Sequence, residues 1–365
     1  MFRFIIIFLR YALKIYRRYL GIIYSKYSDG LLPEGLLCSI ELSEDNKHCD
    51  ALHPCIRYTK SKFMGWNWWM VLTPYYNADA SKENPLLYYG FSNDHVPPFD
   101  WFFYSLINPT PDTGYNSDPN ILFTEEGLNV FWRENDSPRT LHDKVSRATY
   151  HKLISKYGTH ETTVLNLVEE DKHIDREVSP AFLKSNGKYY SYAMHIKFKN
   201  KRFQFKSKSI KRISSYILRI LSILNIYNQQ KTIGISLWES VSLEKTFKYI
   251  KTMKITNLNN LYSPWHLDSF EAMNKIYFII QTNQSNADIC LAVKEDSDNV
   301  RMYQKPLIVN NSKIFTGIYK ATGFVFEGIF YLFYTAQLIE DRKKNHLLRS
   351  TYKFSDMIKE LEDHE

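Results

Sequence analysis

One pattern recurs five times along this chain and constrains its fold more than any other feature. Each copy has a small or polar residue near a proline or glycine, then an apolar run, a turn, and a strand rich in Tyr, Trp and Phe. A pattern that repeats at this length is typical of folds built from one supersecondary unit. The copies read HPCIRYTKSKFMGWNWWMVLTPY from His53, SDPNILFTEEGLNVFWREN from Ser117, VSPAFLKSNGKYYSYAMH from Val178, SPWHLDSFEAMNKIYFIIQT from Ser263 and YKATGFVFEGIFYLFYTA from Tyr319.

Each copy predicts a β-hairpin. In the third copy Asn186 and Gly187 supply the positive φ angles that a tight hairpin turn requires, and Gly127 and Gly328 lie at the matching turns of two others. Outer-strand candidates such as PLLYYGFSNDH, GISLWESVSLEKTF and DICLAVKEDSDN follow the hairpins. Five four-stranded units of this kind predict an all-β protein, a five-bladed β-propeller over residues 45–355.

The spacing between copies is about 55 to 65 residues, except between the third and fourth, where it is near 85. The excess contains a basic amphipathic stretch at 206–230, which predicts a helical insertion in blade three. Residues 1–30 predict a second amphipathic helix, with one basic stripe formed by Arg3, Arg10, Lys14 and Arg18.

Both helices favour an anionic membrane surface as a partner, because cations facing headgroups and a wide apolar face suit a helix in the interface. The alternative is that they pack against the propeller. The N-terminal apolar run, Phe4 to Leu9, is too short for a secretory signal or a transmembrane helix.

Composition narrows the classes of partner. The net charge is +8, yet no nucleic-acid reading motif accompanies it, so we expect no nucleic-acid partner. No glycine-rich phosphate loop and no metal-ligand spacing are recognisable, so the sequence predicts no cofactor and no metal. The four cysteines favour free thiols, with a Cys38–Cys49 disulfide as the alternative.

At the repeats the chain resembles the five-bladed propellers of glycoside hydrolase families 43 and 32. It is most similar to a divergent group associated with bacterial surface polysaccharides, through GWNWWMVLTPY in blade one and SPWHLD in blade four. In these families the first strand of each blade lines the axis and carries the catalytic carboxylates. They are an Asp before Pro in blade one as base, an Asp in blade two that orients and tunes, and a Glu in blade three as acid.

This sequence keeps only one of the three carboxylates. His53 stands before Pro54 in place of the base, Asp118 is retained, and Val178 replaces the acid. Glu177 is adjacent, but the alternation of side chains along a strand points it away from the axis.

The resemblance therefore implies a different polar set at the axis. We expect catalytic roles for His53, Asp118 and His266, because an imidazole titrates near neutrality. Lys320 and Arg133 suit an anionic sugar or a phosphate, and Trp265 suits stacking on a sugar ring. The expected substrate-binding residues are Ser179, Trp265, Asp268, Tyr319, Lys320 and Arg133.

The resulting hypothesis is a carbohydrate-active propeller in bacterial surface polysaccharide metabolism, peripheral on the cytoplasmic face of the inner membrane, with the periplasm as the alternative. It would cleave or transfer a glycosyl or phosphoglycosyl unit of an oligosaccharide or polysaccharide. The alternative is a non-catalytic glycan-binding or adaptor propeller. Whether the chain is an enzyme stays open on sequence grounds.

Overall fold

The computed structural model describes 21 strands and one helix, with gaps between the described segments. The described residues are 29–41, 50–75, 82–92, 96–107, 115–125, 127–135, 143–151, 162–166, 175–198, 230–258, 262–282, 287–310, 314–342 and 344–365. The strands are β1 (Leu36–Leu37), β2 (Ser39–Ile40), β3 (Ala51–Phe63), β4 (Trp66–Pro74), β5 (Leu86–Gly90), β6 (Asp100–Leu106), β7 (Tyr115–Phe123), β8 (Gly127–Asn135), β9 (Asp143–His151), β10 (Thr162–Asn166), β11 (Asp175–Ser185), β12 (Lys188–Phe198), β13 (Gln230–Ser240), β14 (Lys248–Thr256), β15 (His266–Ala272), β16 (Lys275–Gln281), β17 (Ile289–Lys294), β18 (Asn299–Met302), β19 (Phe315–Phe326), β20 (Ile329–Leu338) and β21 (His346–Lys353). The helix, α1, is Phe354–Glu362.

The strands form five blades of four, as the repeats predict. Blades one to four are β3–β6, β7–β10, β11–β14 and β15–β18, and blade five is β19–β21 completed by β1. The first strand of each blade contacts the first strand of the next, and β19 contacts β3, so these five strands surround one axis. Blades three and four also share a sheet, because their outermost strands β14 and β18 pair in parallel.

Residues near the N-terminus join the last blade to the first. Strand β1 pairs antiparallel with β21 at the edge of blade five, and β2 pairs in parallel with β6 at the edge of blade one. The ring is therefore closed by main-chain hydrogen bonds between segments that are about 300 residues apart in the sequence.

The hairpin turns follow one backbone rule. Both central residues have positive φ at Met64-Gly65, Asn186-Gly187, Met273-Asn274 and Glu327-Gly328, as expected for the turns that match the right-handed twist of paired strands. The turns predicted at Gly187 and Gly328 are thus confirmed. The outer-strand candidates are the third strands of their blades, β5, β13 and β17, rather than the outermost ones.

The predicted helices at 1–30 and 206–230 lie outside the described residues, apart from their last few positions. Residue 230 already belongs to β13. Within the described part of the chain, no helix has the length and hydropathy needed to cross a membrane.

Aromatic side chains fill the spaces between blades. Trp68 packs against Phe326 of blade five, Phe131 stacks on Phe182 of blade three, and Tyr192 meets Phe278 of blade four. Trp68 is buried in this inter-blade core and lies away from the strand ends that carry His53 and Asp118.

Two other tryptophans of blade one, Trp66 and Trp69, also lie away from the end of β3 that carries His53. Trp69 is buried against Phe63, and Trp66 begins β4 at the hairpin end, opposite to the end that carries His53. Cys38, Cys55 and Cys290 are buried free thiols, and Cys49 is outside the described residues.

Candidate functional site

Each of the first three blades has the same backbone irregularity near the start of its first strand. His53, Asp118 and Ser179 precede a proline and have φ of 51°, 52° and 52°. At these positions the pairing with the second strand skips two residues. Proline has no N–H to donate to the ladder, so a bulge accommodates it. Such bulges redirect side chains, and here they direct three polar groups into one space.

Blades four and five contribute to the same space in different ways. Blade five skips two residues at Tyr319 and Lys320. Blade four has no skip, and His266 is the first residue of a regularly paired strand.

Asp118 is the centre of this arrangement. Its Oδ1 accepts a hydrogen bond from Ser179 Oγ at 2.8 Å and lies 3.2 Å from His266 Nδ1 and 3.6 Å from His53 Nε2. Its Oδ2 lies 3.1 Å from Arg133 Nη2. All five residues are buried, although they come from four blades. We call these five residues, together with Tyr319 and Lys320, the Asp118 cluster.

The two imidazoles of the cluster are held by their outer nitrogens. His53 Nδ1 lies 3.0 Å from Thr73 Oγ1 and 3.5 Å from Glu83 Oε2, and His266 Nε2 lies 3.0 Å from Tyr319 OH. Each ring therefore turns its other nitrogen towards Asp118. The two ring centroids are 5.1 Å apart.

Burial and charge set the protonation of the cluster. Burial alone would raise the pKa of Asp118, but Arg133, His53 and His266 outweigh it and hold this pKa well below its ordinary value. Burial lowers the pKa of His266 to about 3, against the opposing effect of Asp118. At neutral pH the cluster thus presents an anionic carboxylate beside a neutral His266 imidazole.

Three buried polar atoms around the cluster have no hydrogen-bond partner within the described residues. They are His53 Nε2, Glu83 Oε2 and Lys320 Nζ, the last of which is 3.8 Å from Asp118 Oδ1. Buried polar groups are nearly always satisfied, so unsatisfied ones indicate where a ligand or ion belongs.

His53, Asp118 and His266 could hold a metal ion. Each offers a donor atom, and these atoms all lie within 4.8 Å of one another. Imidazole and carboxylate are the ligands that zinc and related divalent cations accept. The contacts of Thr73 and Glu83 with His53 match the outer-shell partners that usually orient metal-binding histidines. The sequence predicted no metal because these residues are far apart along the chain, whereas the propeller brings them together.

Asp268, predicted from the sequence to be a substrate-binding residue, is hydrogen-bonded to other residues of the protein through both of its oxygens. Its Oδ1 accepts hydrogen bonds from Arg57 Nη2 at 2.8 Å and from Asn120 Nδ2 at 3.2 Å. Its Oδ2 accepts from Arg57 Nη1 at 3.2 Å and from Thr322 Oγ1 at 2.5 Å. Both oxygens are occupied within the protein, so we assign Asp268 to a separate group, the Asp268 network of Asp268, Arg57, Asn120 and Thr322.

Trp265 lies beside the Asp118 cluster, whereas Glu177 lies outside it. Trp265 is half-buried, with its ring 6.1 Å from that of His266, at the edge of the Asp118 cluster. Glu177 points away from the cluster, with Oε1 3.4 Å from His195 Nδ1, and contacts Ser236.

Sequence reasoning missed several residues of the site. Asn120 and Thr322 stand two residues beyond Asp118 and Lys320, and the alternation that relates Asp268 to His266 could have identified both. Glu83 belongs to a loop between strands and carries no sequence signal.

Comparison with known proteins identifies the fold. No protein-family profile and no curated protein matches this sequence. Among solved structures, it is similar to an N-acetylgalactosamine deacetylase from F. plautii in complex with blood group B trisaccharide, with TM-score 0.65 and 14% identity over 92% of this chain and 98% of that one. It is also similar to a GH43_1 enzyme from Xanthomonas citri, with TM-score 0.56 and 10% identity over 88% and 90% of the two chains.

The third comparison is a GH32 β-fructofuranosidase from Bombyx mori, with TM-score 0.54 and 12% identity over 83% of this chain and 61% of that one. The fold is that of the five-bladed propellers of glycoside hydrolase families 43 and 32. Structural similarity at such low sequence identity shows the fold alone, so the chemistry has to be argued from the residues of the site.

Proposed function

We propose that this propeller is a carbohydrate-active hydrolase that removes an acyl substituent, such as the N-acetyl group of an amino sugar, using a divalent cation held by His53, Asp118 and His266. The observation that carries the proposal is the approach of their donor atoms, all within 4.8 Å of one another in a buried space. The likeness to the F. plautii deacetylase over nearly the whole of both chains supports the choice of an acyl group.

Neighbouring residues orient His53, Asp118 and His266 for binding a cation. A divalent cation bound there would polarise the acyl carbonyl and lower the pKa of a bound water. Thr73 contacts Nδ1 of His53 and so keeps Nε2 of that ring facing Asp118. Tyr319 OH contacts Nε2 of His266 and so keeps Nδ1 of that ring facing Asp118. Arg133 neutralises part of the charge of Asp118 and fixes its second oxygen.

Lys320 has the properties of a group that stabilises the transition state. Attack on an amide or ester carbonyl places negative charge on the carbonyl oxygen, and a preorganised donor in a dry site stabilises that charge strongly. Lys320 Nζ is buried and lacks a hydrogen-bond partner within the described residues. Its ammonium could donate to the oxyanion, or to an anionic group of the substrate, as the sequence suggested.

A second candidate is cleavage or transfer of a glycosyl or phosphoglycosyl unit, with His53 and Asp118 as acid and base. The fold shared with families 43 and 32 supports it. The lowered pKa of Asp118 opposes it, because a carboxyl that stays ionised cannot protonate a leaving group. The glycan-binding alternative is a further outcome of the same assay.

The test compares the chain before and after removal of bound metal with a chelator. With Zn²⁺ or Mn²⁺ restored, oligosaccharides ending in N-acetylgalactosamine or N-acetylglucosamine should yield acetate and a free amine. Asp118→Asn should lower this rate by more than about 100-fold, beyond the effect usual for outer-shell residues. His346→Gln is the control, since His346 pairs with Asp341 at 3.2 Å in blade five, outside the cluster.

Two other results would contradict the proposal. Release of reducing sugar without acetate, independent of metal, would favour the glycosyl reaction. Binding of the oligosaccharide with no product under any condition would favour a glycan-binding propeller.

The biological setting is also a proposal. We place the protein in bacterial surface polysaccharide metabolism, held to an anionic membrane on the cytoplasmic side by the two helices that the sequence predicts at 1–30 and 206–230. Flotation with anionic liposomes should weaken as salt is raised. Unchanged flotation after deletion of both segments would contradict the membrane assignment.

A further inference from the structure

Asp268 has no chemical task in the proposed reaction, yet it is among the most heavily engaged side chains of the described structure. It is 1% exposed and accepts four hydrogen bonds from three residues. Arg57 binds it through two nitrogens, a geometry that fixes both groups in a plane. A carboxylate bound in this way is rigid, so it also fixes the positions of the strands that carry its partners.

The partners of Asp268 stand on the strands that carry the Asp118 cluster. Arg57 shares β3 with His53, and Asn120 shares β7 with Asp118. Asp268 itself follows His266 by two residues on β15.

Blade five is included as well, because Thr322 stands on β19 two residues after Lys320. The Asp268 network thus connects four of the five innermost strands. On each strand, the residue that belongs to the network is within four residues of a member of the Asp118 cluster.

We infer that Asp268 is a positioning residue that sets the distances between His53, Asp118 and His266. The inference rests on the proposed function, since it assumes that these three residues bind a cation. The three strands that supply the candidate ligands are the same three that Asp268, Arg57 and Asn120 join. A shift of any one strand by a fraction of an ångström would separate its ligand from the other two.

Asp268→Asn is the direct test. The amide has one acceptor oxygen and an NH₂ that cannot accept from Arg57 or Thr322. The connection between the strands is therefore weakened while the shape of the side chain is kept. In the full-length protein, the affinity for Zn²⁺ measured by calorimetry should fall by about tenfold or more, the range seen when outer-shell support of a metal site is lost. The visible absorption spectrum of the Co²⁺-loaded protein should also change, because it reports ligand geometry.

Asp288→Asn is the matched control. Asp288 is also buried, accepting from Tyr262 OH at 2.8 Å and from the backbone N–H of Asn310 at 2.9 Å, but it holds a loop of blade four. It should lower the melting temperature without changing the affinity for Zn²⁺ or the Co²⁺ spectrum. Thr322→Val removes the bond that Thr322 donates to Asp268 and the one it accepts from Arg57 Nη1 at 3.3 Å, and leaves both bonds from Arg57 to Asp268 in place. It is a milder variant in case Asp268→Asn folds poorly, and it should shift the Co²⁺ spectrum in the same direction.

The outcomes separate the two proposals. If the wild-type protein binds neither Zn²⁺ nor Co²⁺, the proposed function fails. If the wild-type protein binds them and Asp268→Asn and Thr322→Val leave affinity and spectrum unchanged, the positioning role alone is overturned. An equal loss of affinity in Asp288→Asn would also overturn it, since general destabilisation would then explain the effect.

Discussion

Two buried carboxylates beside the propeller axis, Asp118 and Asp268, both have an arginine as partner, but they differ in whether the polar groups around them are satisfied. Each lies about 3 Å from an arginine, Arg133 for Asp118 at 3.1 Å and Arg57 for Asp268 at 2.8 Å. Both oxygens of Asp268 are occupied by donors from three blades. Around Asp118, Lys320 Nζ has no hydrogen-bond partner in the described part of the chain.

The difference distinguishes a fully satisfied buried network from a partly satisfied one, which is the proposed site of reaction. A buried polar network stabilises a fold when every member is satisfied, and a partly satisfied one costs free energy. The Asp268 network is of the first kind. The Asp118 cluster keeps unsatisfied groups in a buried space, as proteins do at sites where stability is given up for function.

The largest expected effect comes from removing one cation from each group. Arg57→Met leaves Asp268 buried without its ion pair and should lower the free energy of unfolding by about 3–5 kcal/mol. Lys320→Met replaces an ammonium that lacks hydrogen bonds with an apolar chain of similar length. It should leave the free energy of unfolding unchanged or raise it, while lowering the hydrolytic rate.

Urea unfolding of the two variants and the wild type measures both effects. Asp298→Asn is a control for a simple charge change, because its pair with Lys251 at 2.8 Å is at the surface and should contribute less than about 1 kcal/mol. Equal losses in Arg57→Met and Lys320→Met would remove the distinction between the two groups.

Acid should destabilise the two groups in different pH ranges. The folded pKa of His266, about 3, is below its ordinary value of 6.5, so between these values the unfolded chain binds a proton that the folded chain does not. The free energy of unfolding should therefore fall as pH falls from 6.5 towards 3, by up to about 1.4 kcal/mol per pH unit from this residue.

The Asp268 network should respond only at lower pH. Burial alone would raise the pKa of Asp268, but Arg57 and the bond from Thr322 hold it below 3.8. The stability that Asp268 contributes is therefore present above that pH and is lost below it.

Urea unfolding at several pH values between 4 and 7 tests the prediction for His266. The free energy of unfolding should depend less steeply on pH in His266→Gln than in the wild type. An NMR titration in which His266 gains its proton near pH 6.5 would contradict this account.

The smallest expected effect concerns the edge of the Asp118 cluster. Trp265 is half-buried beside His266 and available for stacking on a sugar ring. Trp265→Ala should raise KM for an oligosaccharide by about two- to tenfold, since aromatic stacking contributes about 0.5–1.5 kcal/mol. Trp66→Ala, at the hairpin end of blade one, is the control and should leave KM unchanged. An equal rise in KM in both variants would contradict a role of Trp265 in substrate binding.

The architecture was largely predictable from sequence because its signals are local. Turn residues such as Asn186-Gly187 and the alternation of aromatic positions act over a few residues, so they can be recognised in each repeat separately. The closure of blade five by β1 was not predicted. Leu36–Leu37 is only two residues long, and its partner β21 is about 300 residues away.

X-Pro pairs in the sequence are enough to identify His53, Asp118 and Ser179 as polar residues near the start of the innermost strands. How the polar residues near the axis divide into two groups depends on contacts between blades, which the sequence does not reveal. Asp118 and Asp268 look alike in the sequence, as acidic residues on the first strands of two blades. Their roles differ because the donors that reach them come from other blades, and burial makes each missing or completed hydrogen bond count for more than it would in water.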